Sequence, residues 1–305
     1  MILIAIKAMN ESANYQPRVA QRTARHDIRG VQYEVREWGD SANPMIVYLH
    51  GWGDCAATFQ MVVDQFDKDW FVVAPDWRGF GGSSVDAQAY WFPDYLADLD
   101  QLLAIYSPDD PVRLVGHSMG ANVAGLYAGT MPERVAAFVN VEGFGLTDSD
   151  PRDAPRRYRR WIEESRIPPV FSDYDDFSAL ARRVKKRSPR ATDAITEFVA
   201  RAWAAERDGR ISLRADARHK LPNAVLFRRA ESEACWRQVV APVLLLAGAE
   251  SEFAQPTDPR LELGIRDLPF ESAVVETIPD AGHMMHFEAP AALAAHIETF
   301  FAKHL

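Results

Sequence analysis

Val112-Arg113-Leu114-Val115-Gly116-His117-Ser118-Met119-Gly120 decides how this chain is read. Val112 to Val115 is a short, mostly apolar run of the kind that fills a buried parallel strand. The glycines at 116 and 120 permit a turn too tight for side chains on either flank of Ser118. Ala121, Ala124 and Gly125 then open an Ala-rich stretch suited to a helix lying close against a sheet. In a random loop Gly-x-Ser-x-Gly means little. Between a buried strand and a helix it presents the serine hydroxyl at the helix N-terminus, which makes Ser118 the candidate nucleophile.

Outward from this stretch the chain alternates between short apolar or β-branched runs and longer amphipathic ones, which predicts a mostly parallel sheet covered by helices. His26 to Trp38 alternates like an antiparallel hairpin. Met45 to Leu49, Trp70 to Ala74, Val112 to Val115, Val135 to Val141, Val243 to Ala247 and Ala273 to Ile278 are the remaining strand candidates. Helices are expected over Ala56 to Phe66, Tyr90 to Tyr106, Ser118 to Thr130 and Pro290 to Lys303. From Phe144 to about Trp236 the rhythm breaks: no clear strand is visible, only helical stretches rich in Arg, Asp and aromatic residues, so this part reads as an insertion. It is locally basic, with 12 Arg and Lys against 6 Asp and Glu between Arg152 and Arg190. Solvated helix faces account for such runs, and a basic cover attracting an anionic substrate is the alternative.

Two further motifs carry chemistry. Tyr48-Leu49-His50-Gly51-Trp52-Gly53 closes the strand expected beside the nucleophile strand, where backbone N–H groups of Trp52 and Met119 would form an oxyanion hole. Ile278-Pro279-Asp280-Ala281-Gly282-His283-Met284-Met285-His286 lies between the last strand and the last helix. His283, following a glycine at a strand end, is the candidate general base; His286, closer to the helix, is expected to pack or cap. No metal site is expected, because the two histidines lack a third clustered ligand, and no cofactor motif is present.

The bulk numbers agree with an ordinary globular protein: 305 residues, 48% hydrophobic and 25% charged. A formal net charge of -9 makes nucleic acid or an anionic membrane an unexpected main partner and a small molecule the expected one. Cys55 and Cys235 are too few for a disulfide framework and are read as reduced. The apolar opening Met1 to Ile6 stops at Lys7, too short to span a bilayer and without the pattern of a secretory signal, so a cytoplasmic location is the expectation.

His50-Gly51-Trp52-Gly53, Asp76-Trp77-Arg78-Gly79-Phe80-Gly81 and Gly116-His117-Ser118-Met119-Gly120 together resemble the α/β-hydrolase superfamily, and Gly282-His283 with Glu288-Ala289-Pro290 agrees. The Asp-Trp-Arg-Gly-Phe-Gly stretch is similar to that of capped epoxide hydrolases and haloalkane dehalogenases, whose nucleophile is an aspartate. The resemblance implies an α/β-hydrolase core over residues 1–143 and 237–305, with helices on both faces of the sheet, and a helical cap inserted over residues 144–236. Ser118 in place of aspartate implies acyl-enzyme chemistry on a carbonyl. Most relatives carry the acid that orients the histidine as an Asp shortly after the seventh strand, but that position here is Ser251. The resemblance therefore leaves Glu142, at the end of the sixth strand, as the first choice, with Glu252 and then Glu250 as alternatives.

The expected reaction is hydrolysis of a small or medium-sized carboxylic ester, a carboxylesterase activity. Lactone or C–C bond hydrolysis uses the same groups, and a ligand-binding protein without catalysis is the rival of another class. Phe144, Tyr158, Trp161 and Phe171 are candidates to line an apolar pocket or to hold the insertion to the core.

Overall fold

A computed structural model describes residues 14–85, 88–167, 169–253, 268–271 and 273–304; the apolar opening Met1 to Ile6 lies outside them. In chain order the elements are β1 (Gln21–Ile28), β2 (Val31–Trp38), β3 (Met45–Leu49), α1 (Gln60–Val63), β4 (Phe71–Pro75), α2 (Phe92–Tyr106), β5 (Val112–His117), α3 (Met119–Thr130) and β6 (Val135–Val141). There follow α4 (Ala154–Arg166), α5 (Phe177–Arg187), α6 (Asp193–Trp203), β7 (Ala204–Arg207), β8 (Arg210–Leu213) and α7 (Arg229–Trp236). The chain then returns through β9 (Val243–Gly248), β10 (Ala273–Ile278), α8 (Met285–Glu288) and α9 (Pro290–His304).

Eight strands form one sheet in the order β1-β2-β4-β3-β5-β6-β9-β10. β1 and β2 make an antiparallel hairpin whose two turn residues, Arg29 and Gly30, both have positive φ, as the twist of a two-residue hairpin requires. β2 runs antiparallel to β4, and from β4 to β10 every pairing is parallel. The sheet is thus mostly parallel, as the sequence predicts.

Alternation along the inner strands explains the layers, because successive side chains leave opposite faces of a strand. Val47, Leu49, Leu114, Phe138, Val243 and Leu245 face a core with Leu99 and Leu102 of α2, Ala121 and Ala124 of α3 and Trp236 of α7. Ile46, Tyr48, Val115, Val139, Leu244 and Leu246 face a second core with Val62 of α1, Met285 of α8 and Leu293, Ile297 and Phe301 of α9. Helices therefore cover both faces.

Two local expectations change. The stretch after Ala56 is a 3-10 turn, Ala56–Phe59, running into the short α1, in place of one helix to Phe66. The Thr58 hydroxyl bonds back to Asp54 and to the Cys55 carbonyl, and the Asp64 carboxylate is taken by Tyr15, Val19 and Gln60. The Thr58 bond competes locally with helix propagation, and Asp64 ties the end of α1 to the distant Tyr15 and Val19. The segment between β6 and β9 is mainly helical, but it also contains the antiparallel hairpin β7–β8, turning at Asp208 and Gly209, both with positive φ. Its strands are four residues each, so the alternation in Arg210–Leu213 is too short to announce a strand and Ala204–Arg207 has none. The segment has a small core of its own, including Leu180, Ala200 and Ile211. Val184 and Val199 join Met61 and Phe287 in a further cluster that fastens it to α1 and α8. Cys55 and Cys235 are free thiols.

Candidate active site

The carboxyl ends of β3, β5, β6, β9 and β10 meet on one side of the sheet, the side where open α/β sheets hold their ligands. Each delivers one part of the site.

β5 ends in the elbow. Ser118 has φ 51° and ψ -114°, a strained conformation for a side-chain-bearing residue, held by its N–H to the Val141 carbonyl at 2.8 Å and its own carbonyl accepting from Asn122 at 3.0 Å. A Cβ on Gly116 would stand 2.5 Å from the Ala121 backbone, and one on Gly120 would stand 2.1 Å from the Leu49 carbonyl oxygen. The glycines are therefore demanded by close approach of α3 to β5 and β3.

β3, paired directly with β5, ends in the turn His50-Gly51-Trp52. His50 is fully buried, and burial lowers its pKa, so the ring is neutral. Its Nε2 accepts the Trp77 N–H at 2.9 Å, which leaves the proton on Nδ1 to be donated to the Gly51 carbonyl at 2.7 Å. The Gly51 carbonyl and the Trp52 N–H belong to one planar peptide, so fixing one fixes the other. Neither the Trp52 nor the Met119 amide is bonded to a partner among the described residues. Gly51 has no room for a side chain, since a Cβ would lie 2.8 Å from His117 Nδ1 and 3.2 Å from Ser118 Cβ.

β10 leads into the loop carrying His283. The ring stacks at a tilt on His117, the neighbour of Ser118, with centroids 4.7 Å apart, and His117 Nε2 donates to the His283 carbonyl at 2.9 Å. His283 Nδ1 lies 2.9 Å from Glu142 Oε2. A carboxylate only accepts, so the proton sits on Nδ1 and the lone pair on Nε2. Among the described residues the ring bonds to Glu142 and not to the Ser118 hydroxyl; hydroxyl–imidazole contacts of this kind are often long before substrate binds.

Of the three glutamates weighed from sequence, the structure brings Glu142 to His283. It sits at the end of β6 with φ 59°, is 2% exposed, and receives Gly248 N–H on Oε1 at 2.8 Å and the Ser251 hydroxyl on Oε2. Three donors thus compensate one buried carboxylate. Ser251, at the position where the sequence resemblance expects an aspartate, donates to the glutamate at the end of the neighbouring strand; sequence reasoning saw only that an acid was lacking there. Glu250 is drawn outward to Arg190, whose hydrogen bond lowers its pKa, and Glu252 is exposed without a partner among the described residues.

His286 is fully buried, as the packing role predicts, with Nε2 3.0 Å from Asp54 Oδ2. Asp54 also accepts from Thr58 and, at 2.7 Å, from the indole N–H of Trp203 in α6. Burial pushes the Asp54 carboxyl up, but the hydrogen bond and electrostatic pull of His286, ahead of His50 and the Trp203 N–H, outweigh it and hold it well below the usual range. Asp54, His117 and His286 bring nitrogen and oxygen atoms within 4.8 Å of one another. They form a hydrogen-bonded floor under the loops of the site: one ring holds Asp54 and the other holds the His283 carbonyl. Sequence spacing gave no sign of this cluster, whose members are contacts between distant turns.

Aromatic rings border the site. Phe253 lies 4.7 Å from His283 and Phe144 6.5 Å from Phe253, while Trp52, half-exposed, meets Phe80 edge-on. His219, from the insertion, is stacked between Phe80 and Tyr90 at 3.9 and 3.4 Å, and burial lowers its pKa to about 3. Of the other candidate lining residues, Tyr158 is 50% exposed and Phe171 lies under the Lys220 ammonium. Arg78, from the Asp76 to Gly81 motif, is bound bidentately to buried Asp98 at 2.6 and 2.7 Å, where Tyr33 also donates. Its work is structural.

This fold matches what comparison with known proteins finds. The family model for the alpha/beta hydrolase fold matches residues 44–290, and the chain belongs to that family. A serine hydrolase-like protein of Danio rerio is 28% identical over 233 residues, 73% of this chain and 70% of that one. The 2-(acetamidomethylene)succinate hydrolase of Mesorhizobium japonicum is 24% identical over 267 residues, 87% of this chain and 90% of that one. Among solved structures, the thioesterase domain from the curacin biosynthetic pathway superposes with a TM-score of 0.81 at 24% identity, covering 92% of this chain and 99% of that domain. Among the described residues no helix is long and apolar enough to cross a membrane.

Proposed function

We propose that this chain is a serine hydrolase that cleaves a carboxylic ester of a small or medium-sized substrate through an acyl-enzyme. The observation that carries this reading is the 2.9 Å contact between Glu142 and His283 Nδ1, which leaves the Nε2 lone pair of the same ring to act as base. In this mechanism His283 takes the Ser118 proton as the serine oxygen attacks the ester carbonyl. The Trp52 and Met119 amides receive the charge that develops on the carbonyl oxygen, a contribution worth roughly 100- to 1,000-fold per donor. The protonated imidazole, stabilised by Glu142, then gives its proton to the departing alcohol. Water, deprotonated by His283, attacks the acyl carbonyl; the acid leaves and Ser118 regains its proton. Residues 144–236 act as a cap, with Phe144 and the nearby Phe253 offering apolar surface to the substrate.

The names of the relatives support hydrolysis as the reaction class. Ester cleavage, ahead of lactone or C–C bond cleavage, is supported by the apolar rings of Phe144 and Phe253 beside an otherwise ordinary serine site. The deciding experiment treats purified protein and its Ser118→Ala variant with a fluorophosphonate probe and with a panel of p-nitrophenyl esters, lactones and diketones. Stoichiometric labelling of Ser118 and ester turnover lost in the variant are expected. Equal ester turnover by parent and variant would refute the assignment, and absence of labelling with no turnover would favour the non-catalytic binder.

A further inference from the structure

The helix α4 is built unlike the rest of the molecule. None of its thirteen residues is buried. Its apolar side chains recur at three- and four-residue spacing, with Pro155 exposed, Tyr158 and Ile162 50% and 46% exposed, and Trp161 half-buried beside them. Just beyond its end Ile167 and Val170 are 81% and 79% exposed. Apolar side chains gathered on one exposed stripe, unlike ones scattered singly, mark an interaction surface. The opposite side carries Arg156, Arg157 and Arg160, while Arg159 and, in the last turn, Arg166 flank the stripe. Arg156 and Arg160 are paired with Asp153 and Glu164, and Arg157 bonds a backbone carbonyl, but Arg159 and Arg166 have no partner among the described residues. Both lie beside the exposed apolar stripe on the helical wheel.

An exposed apolar stripe edged by uncompensated arginines is the composition of helices that lie in the plane of a lipid–water interface. We propose that α4 docks on an anionic lipid bilayer surface, with Tyr158 and Ile162 entering the acyl boundary and Arg159 and Arg166 meeting the headgroups. Charge favours this occupant over a second copy of the chain, which would set one arginine cluster against another. The net charge of -9 predicts repulsion from such a surface, but it averages over the molecule. Between Arg152 and Arg190 basic residues outnumber acidic ones by 12 to 6, so an anionic surface orients the protein with this segment towards it. The binding is independent of whether the site cleaves esters.

The test is co-sedimentation of the full chain at low salt with phosphatidylcholine vesicles, with and without about one-third phosphatidylglycerol. Binding to the anionic vesicles alone is expected. An arginine at such a surface contributes about fivefold in affinity, so the double variant Arg159→Glu, Arg166→Glu should bind at least about 25-fold more weakly. Tyr158→Ser with Ile162→Ser should also reduce binding; all four positions are on the surface, and circular dichroism checks that the variants are folded. No sedimentation with anionic vesicles, undiminished binding by both double variants, or binding to polyglutamate with none to vesicles would each overturn the proposal. So would a dimer in analytical ultracentrifugation that Ile162→Ser dissolves.

Discussion

Replacing Glu142 by Gln tests the site at its most constrained point, because the surroundings dictate which way the new amide must lie. Oε1 of the glutamate accepts the Gly248 N–H at 2.8 Å, while Oε2 accepts both the Ser251 hydroxyl and His283 Nδ1–H. An amide with its NH2 towards Gly248 would set donor against donor in a pocket that is 2% exposed, at a penalty of about 1–3 kcal/mol. The amide therefore keeps its oxygen on Gly248 and points its NH2 at His283. Nδ1 must then accept, the ring proton moves to Nε2, and the nitrogen needed to take the Ser118 proton is occupied. The corresponding Asp-to-Asn change in serine proteases lowers kcat by about 10,000-fold through the same wrong tautomer, equivalent to about 5 kcal/mol of barrier. The assay is kcat for a p-nitrophenyl ester together with the fluorophosphonate labelling rate, on protein whose Tm confirms a native fold. A Glu142→Gln enzyme with kcat within threefold of the parent would refute both the orienting role and the tautomer reasoning.

Other predictions follow from neighbouring contacts. Ser251→Ala removes one of three donors to Glu142 but leaves the carboxylate in place, so kcat should fall by about 10- to 150-fold, the worth of one hydrogen bond to a charged group; a loss as large as that of Glu142→Gln would show that Ser251 acts directly. Gly120→Ala places a Cβ 2.1 Å from the Leu49 carbonyl oxygen, so Tm and soluble yield should drop sharply, with a destabilisation of more than about 3 kcal/mol; an unchanged Tm would contradict the close approach of α3 to β3. His219 has its pKa lowered to about 3, chiefly by burial, against about 6.5 for the unfolded chain. Between those values the unfolded state binds the extra proton, so the stabilisation is complete above about pH 6.5 and is lost as pH falls towards 3. His219→Phe, which keeps the stack with Phe80 and Tyr90, should flatten the fall in Tm between about pH 6.5 and 4, and parallel curves for parent and variant would refute this.

The sheet could be read from sequence because its inner strands are buried on both faces. Met45–Leu49 and Val135–Val141 begin and end where their apolar runs do, and the edge strand Ala273–Ile278, only partly buried, was marked by its β-branched run. The hairpin β7–β8 escaped because Ala204–Arg207 carries no period-two pattern and Arg210–Leu213 alternates over four residues only, although Asp208-Gly209 between them was a turn signal. Ser118 and His283 stood out because each sits beside glycine at a strand end. The choice among Glu142, Glu250 and Glu252 could not be read in one dimension, since it depends on Ser251 and Gly248 of one strand end facing Glu142 of the next and on Arg190 drawing Glu250 away. Asp54, His117 and His286 were invisible as a group for the same reason: their proximity is a product of tertiary folding.

The indole of Trp203 has a bearing on any attempt to redesign specificity by exchanging the segment between β6 and β9. Its N–H is bonded to Asp54, and Asp54 in turn holds His286. A chimera that spliced a foreign segment between Phe144 and Trp236 would sever that fastening even if both junctions were seamless. Successful transplants would have to bring their own indole, or another donor of equal reach, to the same carboxylate.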